Sequence, residues 1–158
     1  MKLYLAGPLG FSEAGRKFLD DILVPKIKEL GFKILDPWKL TDPEQISTVT
    51  AMPSGQAKRE AWQTLNAKIG ENNCRALDDC DIVVAVLDGV DVDSGTAAEI
   101  GYAYAKGKRI YGYRGDFRLS ADNEGADINL QVEFFILRSD GKIFHDYSSL
   151  LTEIGNIL

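Results

Sequence analysis

The segment DIVVAVLDGVDVDSGTAAEIG, residues 81–101, decides the fold. Its first part, residues 81–87, is almost wholly apolar and β-branched, a pattern typical of a parallel strand covered on both faces. A loop with three aspartates follows (Asp88, Asp91 and Asp93), and a helix is predicted over residues 96–105. A buried strand that leads through a short loop into a helix is the basic unit of an α/β sheet.

The same alternation of strand and helix extends on both sides of this segment. Strands are predicted at residues 2–6, 32–35, 108–113 and 142–145, and helices at residues 12–30, 55–80, 126–137 and 147–157. Ser12 is expected to cap its helix and Pro25 to kink or end the first segment of that helix. We therefore expect one domain over residues 1–158, a doubly wound flavodoxin-like or Rossmann-like α/β sandwich with a five-stranded, mostly parallel sheet.

Composition narrows the class of protein. The chain has 158 residues, 45% hydrophobic and 27% charged, which is the balance of a globular protein large enough to fold without a disulfide or metal. The formal net charge of -6 disfavours a nucleic-acid polymer as partner. The sequence contains no membrane-length apolar run and opens on a strand instead of a signal peptide, so we expect a cytoplasmic protein with no membrane partner.

In a sheet of this kind, ligands bind beyond the carboxyl ends of the strands, where the strand order reverses. The loops AGPLGF, residues 6–11, and DGVDVDSG, residues 88–95, are expected to meet there. The first loop matches neither a dinucleotide fingerprint nor a P-loop, and no lysine follows it. Gly7 is explained either by a tight turn between strand and helix or by a ligand that approaches the backbone closely.

Glu99 has two interpretations. With Thr96 it fits a capping box, in which both side chains bind free amides at the start of a helix. A carboxylate in the first helical turn is also kept ionised by the helix dipole, ready to act as a nucleophile. Because the neighbouring aspartates crowd together, one of them could keep a proton and act as an acid, a division of roles suited to substitution at a sugar carbon. A divalent metal held by the same acids is the competing interpretation.

Other side chains could serve the same site. Tyr4 could direct its hydroxyl at the acids or be a core aromatic, and Phe11 could pack against a heterocycle or staple a helix. Asn129 could be only a helix cap, whereas Asn73, a polar residue on an apolar helix face, needs a partner. The two tryptophans, Trp38 and Trp62, are interpreted as packing residues, and residues 39–54 as a loop with one short helix that could form a lid.

Four motifs in order, LYLAGPLGF, DDCDIVVAVLDG, DSGTAAEIGYA and NLQVE, resemble those of nucleoside 2-deoxyribosyltransferases from the first strand to about Asn129. The resemblance implies a cofactor-free pentosyltransferase of nucleotide salvage that exchanges purine or pyrimidine bases on 2'-deoxynucleosides, with retention of configuration. It also implies a homo-oligomer built from dimers, up to a hexamer, with a site completed by a neighbouring subunit.

By the same resemblance, Glu99 would form the covalent deoxyribosyl intermediate and Tyr4 would orient it. Asp93 would bind the sugar or assist protonation of the base, Phe11 would line the base pocket, and Asn129 would hold the sugar hydroxyls. Asn73 departs from the pattern, because some members carry an aspartate near the departing base. An amide cannot act as a general acid, so the proton would have to come from Asp93, another loop aspartate or water.

Two rival functions remain open from the sequence. One is hydrolysis of the N-glycosidic bond of deoxynucleoside 5'-monophosphates, although the first loop offers no side-chain donor for a phosphate beyond Ser12. The other is a non-enzymatic nucleotide-sensing domain in which Glu99 is only a capping residue.

Overall fold

A parallel five-stranded sheet forms the centre of the protein in the computed structural model, which describes residues 1–158. Its strands are β1 (Lys2–Ala6), β2 (Lys33–Leu35), β3 (Ile82–Val86), β4 (Arg109–Tyr113) and β5 (Ile143–Phe144). Their spatial order is β2-β1-β3-β4-β5, and every neighbouring pair is parallel. The predicted doubly wound α/β fold is confirmed, and the sheet is wholly parallel.

The helices lie on both faces of this sheet. They are α1 (Glu13–Phe18), α2 (Val24–Glu29), α3 (Pro43–Ala51), α4 (Gln56–Asp79), α5 (Ser94–Ala105), α6 (Leu130–Arg138) and α7 (Tyr147–Gly155). Alternate residues of β3 enter different cores, because successive side chains of a strand point to opposite faces. Val83 and Ala85 pack with residues of α4, α5 and α6, whereas Ile82 and Val84 pack with residues of α2 and α7. The continuous apolar run in the sequence reflects this burial on both faces.

Pro25 changes the first long helix in a way that the sequence did not specify. The chain stays helical across it, but residues Leu19–Leu23 form a π-helical turn between α1 and α2. The amide of Val24 donates to the carbonyl of Leu19, five residues back. Because proline has no amide proton, a wider turn just before it accommodates the missing hydrogen bond. Ser12 caps α1 as predicted, with its hydroxyl oxygen accepting from the Gly15 amide at 3.0 Å.

Two helices begin at other positions than predicted, because aspartate and asparagine side chains set their N-termini. Asp93 caps α5, so this helix begins at Ser94. Asn129 caps α6, which begins at Leu130, four residues later than predicted. The segment of residues 39–54 contains one helix, α3, as expected.

Strands β1 and β3 are adjacent but not consecutive in the chain, so the direction of winding reverses between them. Their register pairs Tyr4 with Val83 and Ala6 with Ala85, which brings both carboxyl ends to the same edge of the sheet. The loops after β1 and β3 therefore meet there, as predicted. None of the helices is both long and apolar enough to cross a membrane.

Candidate active site

A cavity of about 440 Å³ opens at the switch point between β1 and β3. Four parts of the chain build its wall: the loop after β1, residues 37–46, one face of α4, and the start of α5 with its preceding residue. The lining residues are Gly7, Phe11, Pro37, Trp38, Thr41, Ile46, Asn66, Ile69, Asn73, Asp93, Gly95, Thr96 and Glu99. The structure thus brings Glu99, Asp93, Asn73, Phe11 and Gly7 together in one cavity.

Glu99 is held by a tyrosine that the sheet buries beneath the cavity. Tyr4, in the middle of β1, is fully buried, and its hydroxyl donates a 2.6 Å hydrogen bond to Oε1 of Glu99. The amide Nδ2 of Asn73 lies 3.4 Å from the same oxygen. Since both donors use Oε1, the second carboxylate oxygen, Oε2, is left without a side-chain donor. This arrangement leaves one oxygen of Glu99 available to a molecule in the cavity.

Burial raises the pKa of Glu99 above its ordinary value, and the nearby charge of Asp93 raises it further. The Tyr4 hydroxyl acts in the opposite direction, because its hydrogen bond favours the charged carboxylate. The pKa of Tyr4 is itself raised by burial and by the negative charge of Glu99, so this phenol keeps its proton. Tyr4 is therefore a hydrogen-bond donor to Glu99 across the range of pH in which Glu99 titrates.

The predicted capping role of Glu99 is wrong. Asp93 caps α5: its Oδ2 accepts from the amide of Thr96 at 2.9 Å and from the Thr96 hydroxyl at 3.2 Å. Glu99 is the sixth residue of α5, beyond the first turn, where the helix dipole has little effect. The Tyr4 hydroxyl, not the dipole, is the interaction that favours the charged form of Glu99.

An aromatic corner, Phe11 and Trp38, forms the other side of the cavity. The two rings meet edge to face, with centroids 4.6 Å apart, and the Phe11 side chain is mostly exposed. The indole Nε1 of Trp38 donates to the carbonyl of Gly7 at 3.2 Å. A Cβ on Gly10 would lie 2.2 Å from the Trp38 ring, so only glycine permits this close packing. Such a corner offers a flat apolar surface to a planar ring.

Gly7 lines the cavity and also adopts a backbone conformation that favours glycine. Its φ of 155° is one that side chains disfavour, and an added Cβ would lie 2.9 Å from Cβ of Val86. The loop after β1 therefore passes close to the end of β3, which keeps Gly7 in the wall of the cavity.

Asn129 and two of the loop aspartates do not reach the cavity of their own chain. The side chain of Asn129 accepts from the amides of Gln131 and Val132, as a cap of α6 does. Asp88 accepts from the amide of Asp116, and neither Asp88 nor Asp91 lines the cavity. No group of three or more His, Cys, Asp or Glu side chains is arranged to hold a metal ion.

Several cavity residues were not singled out from the sequence. Trp38 was interpreted only as a packing residue, and Asn66 and Ile69 were not considered as site residues, yet all three line the cavity. Asn66, Ile69 and Asn73 follow the i, i+3, i+7 spacing that places side chains on one face of a helix. That spacing, extended backwards from Asn73, is a signal that could have identified the first two. Nothing in the sequence placed Trp38 beside Phe11.

Replacing Tyr4 by phenylalanine should raise the pKa of Glu99, because it removes the donor that stabilises the carboxylate and leaves the burial unchanged. A carbon-detected NMR titration of the glutamate carboxyl groups measures this shift. Tyr102→Phe is the matched control, since Tyr102 is partly buried against the same core as Tyr4 but its hydroxyl donates to Asp78. In that variant the pKa of Glu99 should stay unchanged; an equal shift in both variants would exclude the specific role of Tyr4.

Comparisons with known proteins give a consistent result. The family model described as nucleoside 2-deoxyribosyltransferase matches residues 3–131. No curated protein matches the chain. Among solved structures, a conserved protein from Enterococcus faecalis V583 is 26% identical, with a TM-score of 0.68 and coverage of 100% of this chain and 99% of that chain.

Two further structures share the fold at lower identity. A 2-deoxyribosyltransferase from Bacillus psychrosaccharolyticus is 22% identical, with a TM-score of 0.65 and coverage of 96% of this chain and 90% of that chain. A CMP N-glycosidase from Clostridium botulinum is 20% identical, with a TM-score of 0.58 and full coverage of both chains.

Proposed function

Because the chain belongs to the nucleoside 2-deoxyribosyltransferase family, we propose that it exchanges the base of 2'-deoxynucleosides through a deoxyribosyl intermediate on Glu99. The observation that carries this proposal is the pair formed by Glu99 and the buried Tyr4 at the cavity wall. A carboxylate with one oxygen held and the other free is oriented for nucleophilic attack. The resulting activity is that of a pentosyltransferase acting on N-glycosidic bonds.

The reaction proceeds as two displacements at C1' of the deoxyribose. In the first, Oε2 of Glu99 bonds to C1' while the bond from C1' to the base nitrogen breaks and its electron pair leaves with the base. In the second, a nitrogen of another base attacks C1', and the electron pair of the ester returns to Glu99. Two inversions give retention of configuration.

The cavity provides separate surroundings for the base and the sugar. Phe11 and Trp38 form the apolar side, on which a purine or pyrimidine ring can pack. Asp93 binds a sugar hydroxyl, since only its Oδ2 is used in capping and its other oxygen remains an acceptor. Thr41 and Ile46 in the segment of residues 39–54 also line the cavity, which supports a role of this segment as a lid.

A neighbouring subunit completes the site in this proposal. Asn129 does not line the cavity of its own chain, and α6, which it caps, exposes the apolar side chains of Leu130, Phe134 and Leu137. Packing of α6 against a second copy would cover these side chains and bring Asn129 to the sugar hydroxyls of the partner's substrate. The protein is accordingly proposed to act as a homo-oligomer built from dimers.

Hydrolysis is the second candidate function, favoured by the similar fold of the CMP N-glycosidase. In that reaction water, instead of a second base, would attack the intermediate on Glu99. The cavity wall contains no lysine or arginine that could bind the phosphate of a nucleotide substrate. A sensing domain is less well supported, because Glu99 does not cap α5 and is held by Tyr4 instead.

Parallel incubations of the protein with 2'-deoxyinosine and with its 5'-monophosphate, each with free adenine, separate these functions. Base exchange yields 2'-deoxyadenosine and hypoxanthine from the nucleoside, hydrolysis yields hypoxanthine and free deoxyribose or its 5-phosphate, and a sensing domain yields none of these. We expect 2'-deoxyadenosine as the main product, measured by liquid chromatography. Free deoxyribose as the main product, in the presence of excess adenine, would favour the hydrolase.

A further inference from the structure

One amide of the cavity wall has no partner within the chain. Asn73 donates to Glu99, and Asp93 accepts from Thr96. Asn66 also lines the cavity, but its side chain is exposed and takes part in none of the protein's side-chain hydrogen bonds. Its carbonyl oxygen and its NH₂ group are therefore both available to a molecule in the cavity.

Asn66 lies on the part of the α4 wall that is remote from Glu99. Asn73 is the α4 residue beside Glu99, and Asn66 precedes it by two helical turns. At the rise of an α-helix, about 10.5 Å along the axis separates these two positions. Ile69 lies between them on the same face and also lines the cavity. This face of α4 thus presents one amide beside Glu99, then an apolar side chain, then a second amide.

A bound base can extend from Glu99 towards Asn66. In the proposed reaction C1' lies at Glu99, so the base occupies the remaining part of the cavity. Ile69 borders that part on α4, and Phe11 and Trp38 border it on the other side. The edge of the base remote from C1' carries an amino or an oxo group, at position 6 of a purine or position 4 of a pyrimidine. Asn66 is the unpaired polar side chain at this end of the wall.

A primary amide matches both kinds of base edge. Its carbonyl accepts from the amino group of adenine or cytosine, and its NH₂ group donates to the oxo group of hypoxanthine, guanine or thymine. A half-turn of the amide exchanges the two groups, and no protein group holds the amide of Asn66 in one orientation. A carboxylate could only accept at this position, and an ammonium group could only donate.

We propose that Asn66 is a specificity-determining residue that binds the hydrogen-bonding edge of the base. The proposal rests on the proposed function and specifies its substrate class: 2'-deoxynucleosides whose base carries an amino or an oxo group remote from C1', with neither kind excluded. Asn66 takes no part in breaking the bond to C1'. It holds the base while Glu99 acts at the sugar.

The test compares nucleosides that differ only at this edge. The purine set is 2'-deoxyadenosine, 2'-deoxyinosine and purine 2'-deoxyriboside, which has hydrogen at position 6. The pyrimidine set is 2'-deoxycytidine and the 2'-deoxyriboside of pyrimidin-2-one, which has hydrogen at position 4. The second-order rate constant of base release is measured by liquid chromatography in single turnovers with the protein in excess. A protein that accepts one set is tested with that set.

Asn66→Ala should slow release of the amino and oxo bases selectively. We expect a loss of about 10-fold to 100-fold for these bases, the range for a bidentate contact between an amide and a base, and of less than about threefold for the bases with hydrogen. The ratio of variant to unmodified protein is taken for each nucleoside, so the intrinsic leaving ability of each base cancels. Asn66→Leu, similar in size but without hydrogen-bonding groups, should show the same pattern.

Gln63→Ala is the matched control, because Gln63 is an exposed amide of α4 that does not line the cavity. Its rate constants should stay within about twofold of those of the unmodified protein for every nucleoside. Asn66 variants that lose the same factor with all bases, or that lose nothing, would overturn the proposal. A group from a neighbouring subunit does not affect this comparison, because the readout is the dependence of the loss on the base edge within one variant.

These outcomes are distinct from a failure of the proposed function. If the unmodified protein releases no base from any of these nucleosides and forms no deoxyribosyl adduct, base exchange itself is wrong. If it releases base and the Asn66 variants show no selective loss, base exchange stands and the role of Asn66 is wrong.

Discussion

Glu99→Gln is expected to abolish base exchange, with a loss of about 10⁴-fold or more in kcat. The amide keeps the size of the side chain, but it is a poor nucleophile and carries no charge to stabilise the developing positive charge at C1'. The Tyr4 hydroxyl still has an oxygen to bind, so the fold should be retained. Initial rates of 2'-deoxyadenosine formation and the thermal unfolding midpoint measure the two effects separately.

The covalent intermediate provides a sharper measurement than the loss of activity. Intact-mass spectrometry of the protein mixed with a 2'-deoxynucleoside should detect a deoxyribosyl adduct, and this adduct should be absent from Glu99→Gln and Glu99→Ala. Glu71→Gln is a suitable control, since Glu71 lies on the surface in an ion pair with Arg75. An adduct of unchanged abundance in either Glu99 variant would exclude Glu99 as the nucleophile.

Trp38→Ala is expected to reduce kcat/KM by about 10-fold to 100-fold, the range that base stacking on an aromatic side chain supplies. The substitution removes the ring that lines the cavity, supports Phe11 and packs against Gly10. It also removes the hydrogen bond from Nε1 to the carbonyl of Gly7, so the loop after β1 loses a tether. Steady-state kinetics with the 2'-deoxynucleoside that gives the highest kcat/KM measures this loss.

The second tryptophan allows a matched comparison. Trp62 lies on α4 outside the cavity wall, and Trp62→Ala should leave kcat/KM within about twofold of the original value. Trp38→Phe should recover much of the loss, because it restores an apolar ring but not the hydrogen bond to Gly7. Equal losses in Trp38→Ala and Trp62→Ala would indicate a general loss of stability instead of a specific base contact.

The fold was largely predictable because its signals are local. Burial on both faces gives β3 a continuous apolar run, and short loops connect it to the neighbouring helices. Boundaries were less accurate where a side chain determines the start of a helix: residues 126–129 read as helical, but the cap at Asn129 delays α6 to Leu130. Such a cap depends on the path of the preceding loop, which local sequence does not specify.

The surroundings of Glu99 also could not be predicted from local sequence. Its candidacy as a nucleophile came from the motif, but the electrostatic reason given by the sequence, a position in the first turn of α5, was wrong. What favours its charged form is a hydroxyl from Tyr4, 95 residues away in the chain. A local pattern can predict an acid near a helix terminus, but it does not predict which donor, distant in the chain, will form a hydrogen bond with that acid.

The sequence by itself determined the order of strands and helices along the chain, the burial of the central strand, and the two loops, residues 6–11 and 88–95, that meet at one edge of the sheet. Only the tertiary structure decided that Tyr4 and Asn73 share one oxygen of Glu99, and that Trp38 stands beside Phe11. The physical reason is range: element type follows from the periodicity of neighbouring residues, whereas these contacts depend on strand order and register. A one-residue slip of β1 against β3 would turn the Tyr4 side chain to the opposite face of the sheet, away from Glu99.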